Sequence, residues 1–253
     1  MLELTAVALA SLLGGFIDAI VGGGGLVLVP ALFSAFPQAP PATLLGTNKG
    51  GAVWGTAWAT GQFARRVDMP WHSLAPAALA AFAGSMTGAY TVTQISAAGL
   101  RQALPAILLA VLIYTLMKKD LGRHHAPRLA RRREMWVASG IGIVMGFYDG
   151  FFGPGTGSFL VFMFVRVLGF DFLHASASAK LINTATNAAA LILFGLKGNV
   201  WWHVAAVMAV ANVCGSVAGA RLALARGAGF VRLMFVLIVS ALIVKTGYDA
   251  FFR

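Results

Sequence analysis

Acidic residues are scarce in this chain. Eight Asp and Glu stand against nineteen Lys and Arg among 253 residues, and the four types together make up only 11%. Such a small charged fraction cannot solvate the surface of a soluble domain this long. With 59% hydrophobic residues and a mean hydropathy of +0.82, the chain is expected to lie in a bilayer. Cysteine is nearly missing too: Cys214 alone excludes an intrachain disulfide or a multi-cysteine metal centre, and it is expected to pack as a small residue. No Ser- or Pro-rich tract divides the chain. The complete HExxH, paired-Asp and GxSG motifs of intramembrane hydrolases are absent, since Gly157-Ser158-Phe159 lacks the second glycine and His124-His125 fall in a polar loop. The chain therefore reads as no enzyme and calls for no cofactor or metal. No basic stretch precedes the first apolar segment, which carries Glu3 and runs on into Asp18 and a glycine run, so that segment is expected to stay in the mature protein.

Apolar segments are what the chain has in plenty. They run from 4 to 21, 25 to 36, 43 to 63, 72 to 94, 98 to 117, 135 to 152, 157 to 169, 175 to 195, 203 to 224 and 229 to 250. A spanning helix needs roughly 20 such residues. The second and seventh segments are too short, and each is split from its predecessor at a glycine cluster. The net charge of +11 does not imply nucleic acid, because the basic residues sit at segment ends and in one linker rather than on a soluble face. Seven of the nineteen Lys and Arg fall in KKDLGRHHAPRLARRRE, 118 to 134, which reads as a cytoplasmic loop.

The chain is one unit written twice. Glu3 and Glu134, Asp18 and Asp149, Lys49 and Lys180, His72 and His203, and Arg101 and Arg232 are each 131 residues apart, as are Gly84-x-x-x-Gly88 and Gly215-x-x-x-Gly219. This predicts a single transmembrane domain, 1 to 253, made of repeat 1 (1 to 117), the basic linker (118 to 133) and repeat 2 (134 to 253). Orientation follows from charge. If each repeat crosses four times, the loop Lys and Arg divide 11 inside to 5 outside; if each glycine break folds its segments into a re-entrant hairpin, the second half inverts and they divide 13 to 3. The fold class is thus all-α and polytopic: two tandem repeats, inverted, each a glycine-broken helix hairpin plus three transmembrane helices.

Duplication of this kind is how many transporters build a substrate site between repeats. Gly22, Gly23, Gly24 and Gly25, and their counterpart Gly153, Pro154, Gly155, Thr156 and Gly157, break the helix at membrane depth, where irregular backbone is tolerated only against protein or a wet cavity. Restarting at Leu26 and Ser158, the helices would offer unpaired N–H groups to an anion; close helix packing is the structural alternative. Asp18 and Asp149 precede the breaks, Asp18 roughly 22 Å along the helix from Glu3. Either proton coupling or capping of the broken backbone would suit such buried carboxylates. Lys49 with Thr47 and Asn48, and Lys180 with Ser178, Asn183 and Asn187, combine a cation with neutral donors in a way that suits an oxyanion. A lone lysine there would simply snorkel. Trp71-His72 and Trp202-His203 read as interfacial anchors, and the two Gly-x-x-x-Gly stretches as packing faces.

These residues also carry a resemblance. GGFIDAIVGGGG followed by LLGTNKGG, and GFYDGFFGPGTGSF followed by SASAKLINTATN, resemble the duplicated signature of the sulfite exporter TauE/SafE family, over both halves and nearest its YfcA-like branch. The resemblance implies a multi-pass permease of the bacterial inner membrane. Its substrates would be small anions, typically sulfur-containing ones such as sulfite, thiosulfate or sulfonates, usually exported. It places substrate contacts at the glycine breaks and the TNK and AKLIN segments. Four glycines stand in one half where GPGTG stands in the other, so the two half-sites should differ. The other classes the sequence leaves open are a passive anion channel and a membrane partner subunit without transport of its own. The expected partners are the anion and the bilayer, with room for a homodimer.

Overall fold

The computed structural model describes residues 2–95 and 129–252, with side chains described as far as Leu237. The fifth apolar segment, Arg101 and the linker from 118 to 128 lie outside the described residues. Among those described, every regular element is helical: α1 (Leu2–Val21), α2 (Gly25–Ala35), α3 (Pro41–Ala64), α4 (Trp71–Val92), α5 (Arg131–Phe151), α6 (Thr156–Met163, continued by a π-helical turn, Phe164–Leu168), α7 (Phe172–Leu196) and α8 (Trp202–Phe252). Within α8, Gly227 (φ 70°, ψ −169°) marks a kink between two helical stretches.

Length and composition suffice for a bilayer crossing in α1, α7 and the Trp202–Val231 part of α8. α3 and α4, at 24 and 22 residues, are long enough as well, but Gly, Thr, Asn and Lys dilute their hydropathy. Their outer faces are nonetheless apolar. Trp54, Trp58, Leu79, Trp136, Val144, Leu196 and Val210 stand exposed, a surface that suits hydrocarbon and not water.

Local chemistry sets the helix ends. Pro41 opens α3, where its missing N–H is no loss, and the Asp171 carboxylate accepts the His174 N–H at 2.8 Å to cap α7. Between α1 and α2 the chain reverses. A Cβ built on Gly14 would lie 2.9 Å from Leu28 Cγ, so α2 runs back along α1. Leu4 and Val7 of α1 accordingly pack with Leu32 of α2, Phe36 just beyond it, Leu44 of α3 and Val204 of α8. The second break does the same for α6 on α5, with Tyr148 and Phe159 packed edge-on at 5.7 Å. A separate cluster gathers Phe63 of α3, Leu74 of α4, Ala138 of α5, Phe164 and Leu168 of the π-turn, and Phe172 of α7.

The first helix of each half packs on the fourth helix of the other. Gly84 and Gly88 of α4 abut the Ile143 and Phe147 carbonyls of α5, while Gly215 and Gly219 of α8 abut the Leu12 and Phe16 carbonyls of α1. Each contact in one pair lies 131 residues from its equivalent in the other. These are the packing faces expected of Gly-x-x-x-Gly, where the missing side chain lets backbones touch.

Candidate functional site

The two glycine breaks cross each other at the centre of the bundle. Gly22 has φ +79°, and a Cβ there or on Gly157 would strike the other glycine's backbone. The crossing is tied by hydrogen bonds from the Ser158 N–H to the Gly22 carbonyl (2.9 Å) and from Ser158 Oγ to the Val21 carbonyl (3.1 Å). Gly25 lies against Pro154, at 3.2 Å from its Cα to a Cβ built on the glycine. Residues about 130 or more apart in sequence thereby form one site.

This crossing changes the source of positive charge. The helices restart at Gly25 and Thr156, not at Leu26 and Ser158. The Leu26 N–H bonds to the Gly23 carbonyl at 3.1 Å and the Ser158 N–H to that of Gly22, so neither is unpaired as the sequence led us to expect. Thr156 also turns inward on its own break, donating from Oγ1 to the Gly153 carbonyl at 2.8 Å. The lysines must supply the charge instead.

They do so unequally. Lys49 Nζ lies 2.6 Å from Asp149 Oδ2 with both side chains nearly inaccessible, an ion pair that joins the two halves. At the equivalent place Lys180 Nζ donates to the backbone carbonyl of Asp18 and to Ser176 Oγ, each at 3.0 Å, and stands 5.1 Å from the centre of the Phe63 ring. Ser176 corresponds to Leu45 in the first half, so only Lys180 has a hydroxyl one turn back on its own helix to hold it. The Asp18 carboxylate accepts the Gly24 N–H at 3.3 Å. One aspartate thus caps a broken backbone and the other pairs with a cation.

Around the ion pair is a polar cavity of about 20 Å³. It borders Asp18, Gly22, Gly24, Gly25, Asn48, Lys49, Asp149, Gly153, Gly155, Gly157, Asn183 and Asn187, all named from the sequence, and also Thr56 and Asn212. Gly23, Thr156, Ser158 and Lys180 fall outside its lining. Asn48 Oδ1, an acceptor, is buried without a hydrogen-bond partner among the described residues. Asn212 escaped the sequence reading because its counterpart 131 residues earlier is Ala81, so the repeat did not point to it. An amide inside the apolar run VMAVANVCG was the available signal. Its Nδ2 donates to the Ser11 carbonyl at 3.2 Å, and Gly55 gives its Oδ1 room to approach.

His72 does more than anchor. Its Nε2 is 3.4 Å from Glu134 Oε1, and Ser73 Oγ donates to the same oxygen at 2.7 Å, with Glu134 buried. Trp71 and Trp202 are about half exposed, as interfacial residues should be.

Residues 7–246 match the profile of the sulfite exporter TauE/SafE family. The chain is 39% identical to the "Probable membrane transporter protein YfcA" of Escherichia coli strain K12 over 95% of its own length and 88% of that protein's. It is 35% identical to "Probable membrane transporter protein ORF9" of Sinorhizobium sp. (93% and 89% covered), and 36% identical to a "Probable membrane transporter protein" of Haemophilus influenzae (92% and 90%). No solved structure matches the chain. With a match that runs through both glycine breaks and both lysine segments, the chain belongs to the sulfite exporter TauE/SafE family of membrane transporters.

Proposed function

We propose that the protein is a multi-pass secondary transporter of the bacterial inner membrane that exports small, sulfur-containing anions such as sulfite, thiosulfate or sulfonates. The observation that carries this reading is the buried Lys49–Asp149 pair in a small polar cavity at the crossing of two broken helices. A lysine buried among amides is costly unless it has an anionic partner, and a small oxyanion could take the carboxylate's place. Room for about one water and backbones in contact at Gly22 and Gly157 suit a carrier that must open around its substrate. A channel would need a continuous pore.

The two halves are proposed to be inverted repeats. Support comes from the packing of the hairpins' open ends: Leu4, Val7 and Phe36 of the first cluster with Leu44 and Val204 at the starts of α3 and α8, whereas Ala138, Phe164 and Leu168 of the second cluster with Phe63 at the end of α3 and Leu74 and Phe172 at the starts of α4 and α7. The charge division of 13 to 3 points the same way and puts the Glu134 end in the cytoplasm.

The two ends would then act as alternate gates. Glu134 is held by the Ser73 hydroxyl at the cytoplasmic end, with His72 Nε2 3.4 Å away and not hydrogen-bonded. At the other end, Glu3 and His203 border an open cavity of about 370 Å³, and Val204 stands where Ser73 does. Ser73→Val should loosen the cytoplasmic closure. In a Cys214→Ser background, a cysteine at Met135 should react with maleimide from the cytoplasmic side roughly tenfold faster once that hydrogen bond to a carboxylate is lost. An unchanged rate would remove Glu134 from gating.

Substrate class is tested by thermal unfolding of purified protein against sulfite, thiosulfate, sulfoacetate and simple carboxylates. Binding at a hundredfold excess over Kd stabilises by about 2.7 kcal/mol, a shift of several degrees for a chain of this size. A response to carboxylates alone would refute the sulfur-anion assignment.

A further inference from the structure

We infer that Asp149 is a proton site and that each anion crosses with a proton. The anion and the Asp149 carboxylate compete for the Lys49 ammonium, so an anion settles only as Asp149 takes up a proton. This inference rests on the reading of the central cavity as an anion site.

Space is the first argument. Lys49 Nζ is already in contact with a carboxylate oxygen at 2.6 Å, and the cavity of about 20 Å³ has no room for an oxyanion beside that pair. Whatever binds Lys49 must part it from Asp149. Charge is the second argument. Among the described residues, Lys49 of α3 is the one cation that borders the cavity, while Asp149 and, from α1, Asp18 both border it. Lys180 of α7 is turned to the Asp18 carbonyl and Ser176. Tyr148, next to Asp149, turns its hydroxyl to the Pro154 carbonyl at 2.6 Å. Asn48, Asn183, Asn187 and Asn212 are neutral, and among the described residues no histidine borders the space.

An anion arriving beside an ionised Asp149 would therefore add an uncompensated buried charge, which a low-dielectric interior strongly disfavours. A proton from solution, bound to the Asp149 carboxylate, offsets one negative charge of the incoming anion, which is the whole charge of a monoanion such as a sulfonate. The neutral carboxyl then becomes a hydrogen-bond donor. It can hold the anion that replaced it on Lys49. On release, the proton returns to solution and the ion pair closes again. Asp18 is differently placed, since its carboxylate takes the Gly24 N–H of its own broken segment and its carbonyl takes Lys180. It holds the backbone and stays outside the coupling.

The test uses full-length protein in liposomes with a trapped pH dye and a gradient of labelled thiosulfate, which brings no dissociable proton of its own near neutral pH. The wild type should move roughly one proton with each thiosulfate, in the same direction, the proton taken up by the one carboxylate that leaves Lys49. Asp149→Asn should bring that ratio close to zero whatever its absolute rate, and Asp18→Asn should leave it near the wild-type value. Thiosulfate movement by the wild type without proton movement overturns the proposal. So does a wild-type ratio in Asp149→Asn, and the wild-type measurement decides the matter even if the variant does not fold. If sulfite, thiosulfate and sulfoacetate all fail to move, the anion-site reading falls and the coupling with it. Label and dye are followed separately, so the two failures are told apart.

Discussion

Lys49→Ala should lose anion transport by about a hundredfold and destabilise the fold at the same time. The first effect follows because Lys49 is the cavity's cation, and truncating one partner of a buried charge pair costs roughly 2–5 kcal/mol in binding. The second follows because Asp149 would be left buried and unpaired, which costs about 3–5 kcal/mol of stability. These effects separate in a double variant. Replacing a buried pair by apolar residues of similar size is often neutral or stabilising, so Lys49→Met with Asp149→Leu should restore the thermal midpoint without restoring transport. Recovery of transport in that variant would show that the pair only holds the halves together. Lys180→Ala is the informative comparison, since Lys180 lies outside the cavity lining and holds the Asp18 carbonyl. It should weaken binding through the α1 break, and less than Lys49→Ala does.

Gly22→Ala is expected to be strongly damaging, because it combines backbone strain with a backbone clash. At φ +79° an alanine costs about 1–2 kcal/mol from backbone strain alone. Its Cβ would also run into the Gly157 backbone, which is fixed by the Ser158 hydrogen bonds and cannot swing aside like a side chain. Overpacking adds about 1–3 kcal/mol. Gly198 supplies the control: its φ is +71°, but a Cβ there meets nothing within 4 Å. Gly198→Ala should show the strain alone, as a small drop in thermal midpoint, while Gly22→Ala should show several degrees more. Equal drops would mean that the crossing is looser than the geometry implies.

Much of this arrangement was legible because duplication repeats its chemistry at a fixed interval. The two breaks, both Asp–Lys sets and both Gly-x-x-x-Gly faces could be located from the 131-residue register, and the short apolar segments marked α2 and α6 within a residue or two. What the register cannot give is which half each side chain reaches into. Lys49 pairs with Asp149, a hundred residues away, and not with the Asp18 of its own repeat. Lys180 takes a carbonyl because residue 176 is Ser where 45 is Leu, a local difference whose effect appears only once α7 packs on α1. The N–H groups at Leu26 and Ser158 looked free because the sequence shows a broken helix but not the second broken segment that crosses it. Asn212 was hidden by the same method that found the rest, since it breaks the repeat. His72 looked like an anchor until Glu134 of the other half was beside it.

Counterflow decides the central claim, that a small anion is carried by displacing Asp149 from Lys49. Proteoliposomes loaded with unlabelled thiosulfate should take up external labelled thiosulfate faster than empty ones, with saturation, and Lys49→Ala vesicles carrying the same amount of folded protein should lose this acceleration. Uptake that rises without saturating, or acceleration unchanged in Lys49→Ala, would contradict it.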